Sequence, residues 1–93
     1  MAIQSVGEFE IIMNTVVMRV LRVLDDQPNN TTLVSAKRQM EAAVEWAIAR
    51  RKPDAKQLLG FETATETIRQ AFRADATLSD QLFDLLDFLE YRL

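Results

Sequence analysis

Cysteine and histidine are both absent from this chain of 93 residues, and their absence removes most familiar catalytic and metal-binding chemistry. Without cysteine, the chain has no disulfide framework, no thiolate metal site and no thiol nucleophile. Without histidine, a serine or threonine nucleophile lacks its usual base. The sequence also has no glycine-rich loop that could hold a phosphate. We therefore expect no enzyme activity, no cofactor and no bound metal ion.

Basic residues are in the minority, and long apolar runs are missing. The chain carries 11 Lys and Arg against 14 Asp and Glu, a formal net charge of −3, which disfavours nucleic-acid binding. The opening residues have no basic start, and Glu8 and Glu10 interrupt their apolar run, so they do not form a secretion signal. No apolar run approaches the ~20 residues of a membrane span. The sequence predicts a cytoplasmic protein without a nucleic-acid or membrane partner.

Glycine and proline are scarce as well, with two of each, and apolar residues recur at helical spacing along nearly the whole chain. The first predicted helix runs from a capping box at Ser5 and Glu8 to about Asp25, and the second runs from a cap at Thr31 or Thr32 to Lys52. The third has Pro53 at its first helical position and ends at about residue 73, and the last begins after a cap at Thr77 or Ser79. Gly60 lies either inside a continuous third helix or at a break, with Thr63 to Glu66 as a second capping box. The prediction is a single all-α domain over residues 1–93, a four-helix bundle with short loops.

The last predicted helix carries an acidic face opposite its leucine stripe. Asp80, Asp84, Asp87 and Tyr91 gather on one side, where aspartates three and four positions apart repel each other. Two interpretations stay open: a solvated surface that keeps an acidic protein soluble, or an anionic, aromatic-edged patch that binds a partner rich in cations and donors. Phe83 and Phe88 flank the leucine stripe and are predicted at the edge of the core.

The second predicted helix supplies two weaker candidates for partner binding, Trp46 and Arg38. Trp46 lies outside the inward stripe of its helix, so it either packs against a second surface or stands exposed as an anchor. Tryptophan is among the residue types that dominate interface energetics.

The second and third predicted helices also carry a family resemblance. The run Leu33 to Met40, Arg50 near the end of the same helix, and Leu58-Leu59-Gly60 followed by Ala64 and Ile68 resemble the pattern of a small helical immunity-protein family. That family protects bacteria against type VI secretion effectors, including toxins that hydrolyse NAD(P)⁺. The resemblance implies an all-helical protein that binds its cognate toxin one-to-one in the cytosol and blocks the active-site cleft.

If the resemblance holds, the acidic face would mimic the phosphates of a dinucleotide and occupy the toxin pocket that binds them. The alternative is a small acidic secretion chaperone or adaptor, which would act as a homodimer and hold its client partly unfolded. A homo-oligomer is therefore also possible on sequence grounds.

Overall fold

The computed structural model describes residues 2–93, which form four α-helices and a closing π-helical turn. The helices are α1, Val6–Asp26; α2, Thr31–Ile48; α3, Ala55–Ala71; and α4, Ala76–Asp87, which continues directly into the π turn, Phe88–Arg92. No β-strand occurs within residues 2–93. The predicted all-α fold with four helices and short connections is confirmed.

The helices pack as a four-membered ring. Helix α1 packs against α2 and α4, and α3 packs against the same two helices. Helices α2 and α4 therefore lie across one diagonal of the bundle, and α1 and α3 lie across the other. In such a ring, the outer faces of two diagonal helices look in opposite directions. This arrangement decides which surface residues can meet a common partner.

Each helix begins after a polar side chain that accepts a hydrogen bond from a backbone N–H three residues further on, which satisfies an N–H group that has no partner within the helix. The pairs are Ser5 with Glu8, Asn30 with Leu33, Asp54 with Gln57, and Asp75 with Leu78, at donor–acceptor distances of 3.2, 3.1, 2.8 and 2.9 Å.

Ser5 caps α1 as predicted, but the Glu8 carboxylate accepts from the Gln4 N–H rather than from Ser5, so the predicted capping box is only half formed. Helix α2 begins at Thr31 as predicted, and the residues predicted to cap or open the later helices are wrong by a few positions. Asn30, rather than Thr31 or Thr32, caps α2, and Asp75, rather than Thr77 or Ser79, caps α4. Pro53 precedes the cap Asp54 instead of occupying the first helical position of α3. In each case a nearby Asn or Asp forms the cap, and both residue types are strong N-caps.

Helix α2 ends four residues before the predicted Lys52, because the chain reverses at a left-handed residue. Arg50 has a φ of 52°, a left-handed conformation that at helix ends is usually adopted by glycine. The Arg51 N–H donates to the Trp46 carbonyl at 2.9 Å, and the Arg50 N–H donates to the Ala47 carbonyl at 3.1 Å. This pattern is a Schellman motif, and it satisfies carbonyl groups at the end of the helix.

The core contains the apolar stripes that the sequence predicts. Its fully buried side chains include Phe9, Met13, Val16 and Val20 from α1, Met40 from α2, Phe61 and Ile68 from α3, and Leu78, Leu82, Leu85 and Leu89 from the last helical segment. Helix α3 is continuous through Gly60, so the predicted alternative of a break at this glycine is wrong. The Gln39 side chain of α2 lies directly over Gly60, where a Cβ atom would come within 3.3 Å of its Oε1.

Candidate partner-binding surface

The predicted acidic face of α4 lies at the surface, but its members differ in exposure. Asp80 is exposed, Asp84 and Asp87 are half-buried, and Tyr91 in the π turn is 75% exposed. The sequence therefore placed these four residues on the outer side of the last helical segment correctly. Whether they bind a partner stays a prediction.

Phe83 belongs to the same outer surface, and the prediction that it lies at the core edge is wrong. Its side chain is 52% exposed. Phe88, by contrast, is 3% exposed, and its ring centroid lies 5.0 Å from that of Phe9 in α1, so its predicted packing role is confirmed. The spacing of three and four residues from Asp80 to Phe83 and from Phe83 to Asp87 is the signal that could have identified Phe83.

We call the set Asp80, Phe83, Asp87 and Tyr91 the α4 ridge. The four residues follow one another at intervals of three or four positions, so they lie along one side of the helix. Aromatic and carboxylate side chains alternate along the ridge. The distance from Asp80 to Tyr91 is about 16 Å at a helical rise of ~1.5 Å per residue. This is the largest exposed aromatic surface in the described part of the chain, since it contains both exposed rings.

A cation from the neighbouring helix rests on the Phe83 ring. The Arg69 guanidinium of α3 lies 4.6 Å from the ring centroid, within the range of a cation–π interaction. Its Nε–H is buried and has no hydrogen-bond partner. Arg69 therefore covers part of the Phe83 ring.

The π turn gives one carboxylate of the ridge an ionic partner. The Arg92 Nε–H donates to the Asp87 carboxylate at 3.0 Å. In an α-helix, residues five apart are separated by about 140° around the axis, whereas the wider π turn brings them closer together. The Leu93 N–H donates to the Phe88 carbonyl at 2.8 Å, which is the five-residue bond of this turn. The π turn thus brings Arg92 to Asp87, and this ion pair compensates one of the negative charges on the acidic face.

The start of α4 is fixed by a second charged contact. Asp75 caps the helix and forms a salt bridge with Arg19 of α1. The Leu78 backbone N–H and then Arg19 hold the pKa of the Asp75 carboxyl below its usual value of 3.8. Arg19 also lies over Phe72, with its guanidinium carbon 5.0 Å from the ring centroid. This cluster joins α1, the loop before α4 and the first turn of α4.

An open groove between α2 and α3 is a second surface feature, and sequence reasoning missed it. Its volume is about 570 Å³, and its lining includes Ser35 and Gln39 from α2 and Leu59, Gly60 and Thr63 from α3. Except for Thr63, these residues belong to the segments that carry the family resemblance. The lining residues are neutral apart from Lys56, so the groove offers no converging set of charges.

Trp46 and Arg38, the weaker candidates from the second helix, do not join the α4 ridge. Trp46 is 6% exposed and belongs to the core, so its packing interpretation is confirmed and a role as an exposed anchor is wrong. Arg38 is exposed on the outer side of α2. Because α2 and α4 are diagonal helices, Arg38 and the α4 ridge face opposite sides of the molecule.

Within residues 2–93, no three acidic side chains come close enough together to hold a metal ion. Likewise, none of the helices formed by these residues combines the length and apolar character needed to cross a bilayer. Comparisons of the chain with protein-family models, with curated proteins and with solved structures give no match.

Proposed function

We propose that this protein is a cytoplasmic immunity protein that binds a cognate antibacterial toxin through the α4 ridge and blocks the toxin's active site. The observation that carries the proposal is the alternation of exposed aromatic rings and carboxylates along one helical ridge. The type of partner, a type VI effector that hydrolyses NAD(P)⁺, is supported by the sequence resemblance in α2 and α3.

The aromatic members of the ridge favour a protein partner. Phe83 and Tyr91 expose large rings at positions separated by two helical turns, and aromatic side chains are enriched in the centres of protein interfaces. Each ring has few rotatable bonds, so fixing it on binding costs little entropy. A helix about 10–12 Å wide that carries such rings fits a cleft in its partner better than a flat surface.

The carboxylates of the ridge favour a cationic cleft. Asp80 and Asp87 flank Phe83 on the same ridge, and a pocket that holds phosphate groups supplies cations and N–H donors. The carboxylates would take the place of the phosphates in such a pocket, where they would accept its hydrogen bonds and pair with its cations. Charge complementarity of this kind would also raise the rate of association.

The test is the affinity of the purified protein for the toxin encoded beside it, measured by calorimetry together with survival of toxin-expressing cells. We expect Phe83→Ala and Tyr91→Ala each to weaken binding by ~30-fold or more, which corresponds to the ~2 kcal/mol of an interface hot spot. Asp80→Asn should mainly slow association and reduce its dependence on salt. Arg38→Ala, on the opposite side of the bundle, is the matched control.

The control makes the result decisive. Unchanged affinity in both aromatic variants would remove the α4 ridge from the interface. Loss of affinity in Arg38→Ala alone would assign binding to the outer face of α2. A melting curve for each variant distinguishes lost contacts from lost folding.

The alternative predicted from the sequence, a homodimeric secretion chaperone or adaptor, is favoured by a different observation. Helix α1 exposes Ile11, Met18 and Leu21 to solvent. A chaperone would bind a client that remains sensitive to proteolysis in the complex, whereas an immunity protein would bind a folded and protease-resistant toxin. Limited proteolysis of the complex therefore separates the two functions.

A further inference from the structure

The outer face of α1 carries no fully exposed charged side chain over almost four turns, and the two charged residues within this stretch, Glu10 and Arg19, are half-buried. Between Glu8 and Arg22, its exposed positions are Ile11, Asn14, Thr15, Met18 and Leu21. Ile11 is 68% exposed and Met18 is 54% exposed. Charged residues make up 27% of the chain, so an outer face of this length without a fully exposed charge is a distinct feature of α1. The opposite side of the helix is the one that packs against α2 and α4.

The order of residues along this face is self-complementary. Ile11 and Met18 lie on either side of Thr15, at four and three positions from it, and Glu8 and Arg22 lie seven positions away on opposite sides. A two-fold axis through Thr15, perpendicular to the helix, pairs position 11 of one chain with position 19 of another, so Ile11 lies within one position of the partner copy's Met18. The same axis brings Glu8 of each chain to Arg22 of the other. An axis of this kind is the commonest symmetry of protein oligomers.

We propose that the α1 helices of two copies of this chain pair in antiparallel orientation about Thr15 and form a homodimer. The charges select the orientation, because parallel pairing would place Glu8 against Glu8 and Arg22 against Arg22. Antiparallel pairing converts the same residues into two ion pairs that border an uncharged centre. Both Glu8 and Arg22 are exposed in the single chain and can meet a second copy.

The size of the face predicts a weak dimer. The segment from Glu8 to Arg22 is about 21 Å long at ~1.5 Å per residue. Two helices in contact over this length bury less than the ~1,200–2,000 Å² of a standard stable interface. We therefore expect dissociation in the micromolar range or above, with a monomer of 10.6 kDa at low concentration.

This dimer is independent of the proposed function, since α1 and α4 are neighbouring helices with different outer faces. The proposed α1 contact uses no residue of the α4 ridge. Variants of the α4 ridge should leave dimerisation unchanged, and failure of toxin binding would not affect the proposal.

A single cysteine tests the position of the axis, because the natural chain contains none. At a helix separation of ~8–10 Å, the Cα atoms of two facing residues approach to about 3.5–5.5 Å, a range that overlaps the Cα separation of a disulfide. Thr15→Cys should convert almost completely to a disulfide-linked dimer under mild oxidation at about 100 µM, a concentration chosen for micromolar association. Arg38→Cys is the matched control on an exposed helical surface, and it should remain largely monomeric.

Sedimentation equilibrium of the full chain tests the charge pairs. The mean mass of the natural chain should rise from 10.6 kDa toward twice that value as its concentration increases. Glu8→Lys and Arg22→Glu should each weaken the homodimer about tenfold or more. An equimolar mixture of the two variants should form a heterodimer again. In that heterodimer, the lysine introduced in one chain faces the glutamate introduced in the other, and the remaining native Glu8 faces the remaining native Arg22.

A melting curve accompanies Glu8→Lys, since the Glu8 carboxylate also accepts a hydrogen bond from the Gln4 N–H at 3.3 Å. Recovery of the dimer in the mixture would itself show that the variant chains are folded.

Three results would overturn the proposal. The first is a mass of 10.6 kDa at every concentration up to about 500 µM, where even a weak dimer would be populated. The second is equal cross-linking of the two cysteine variants. The third is a dimer that survives both charge reversals unchanged, since that dimer would use another surface.

Discussion

Phe83 and Phe88 lie five positions apart on one helical segment, and the structure predicts very different costs for their removal. Full burial of a phenylalanine side chain contributes ~1.5–3 kcal/mol. Phe83 is 52% exposed, so its burial contributes about half of that value, near 1 kcal/mol. The cation–π contact with Arg69 contributes a further ~0.5–1 kcal/mol to stability, and the better helix propensity of alanine offsets ~0.5 kcal/mol of the loss in the variant. We expect Phe83→Ala to lower the free energy of unfolding by about 1–1.5 kcal/mol.

Phe88→Ala should cost ~3–5 kcal/mol, the range for a fully buried phenylalanine. Phe88 is 3% exposed and packs on Phe9, so its removal leaves a cavity between α1 and the π turn. Because a chain of this size has a total stability of only ~5–14 kcal/mol, the conservative Phe88→Leu variant provides a second measurement if Phe88→Ala does not fold.

Urea unfolding measures both changes, followed by far-ultraviolet circular dichroism and by the fluorescence of the single tryptophan, Trp46. The slope of free energy against urea concentration should stay the same in the variants, so that the midpoint reports stability. Equal losses for Phe83→Ala and Phe88→Ala would refute the placement of Phe83 at the surface and would remove it from the α4 ridge.

Two further predictions concern the helices that support this surface. Gly60→Ala should stabilise the protein by ~0.5–1 kcal/mol, because alanine is the better helix former and the flexible Gln39 amide can move by the few tenths of an ångström that the new Cβ requires. A lower urea midpoint would show that Gln39 cannot move. The pKa of Asp75 is lowered in the folded state, so its contribution to stability is present above the usual value of 3.8 and is lost as the pH falls through the lower folded value. Asp75→Asn retains a capping side chain without the charge, and it should flatten the loss of stability below about pH 4, measured by melting curves between about pH 2 and 7. An unchanged acid profile would show that Asp75 does not contribute in this way.

Hydrophobic periodicity predicts the interior of this fold well and its helix ends less well. Buried residues such as Met13, Met40 and Leu85 recur at the spacing of a helix face, and this signal is repeated many times along the chain. A helix end depends on one or two residues, and competing signals lie next to each other. At the start of α2, Asn30 adjoins two threonines that can also cap a helix. At its end, Arg50 has the left-handed conformation that is usually found at glycine, so the sequence does not mark the end of the helix.

The candidate surface is only partly predictable for a related reason. The outward direction of Asp80 and Asp87 follows from the leucine stripe of their own helix. The exposure of Phe83 depends on how far α3 covers α4, and this is a property of packing between helices. The ion pair of Asp87 with Arg92 depends on a π turn, for which the sequence has no specific signal.

Helix α4 is held at both ends, and this determines how the α4 ridge meets a partner. At the start of α4, Asp75 forms a salt bridge with Arg19 of α1. Directly after the end of α4, Phe88 packs on Phe9 of α1. The segment between these two points carries Asp80, Phe83 and Asp87 of the α4 ridge, whereas Tyr91 lies beyond it in the π turn. Because this segment is held at both ends, its amide protons should exchange with solvent only when the bundle opens as a whole. A surface that is already ordered before contact loses little conformational entropy on binding, and more of the interaction free energy then appears as affinity.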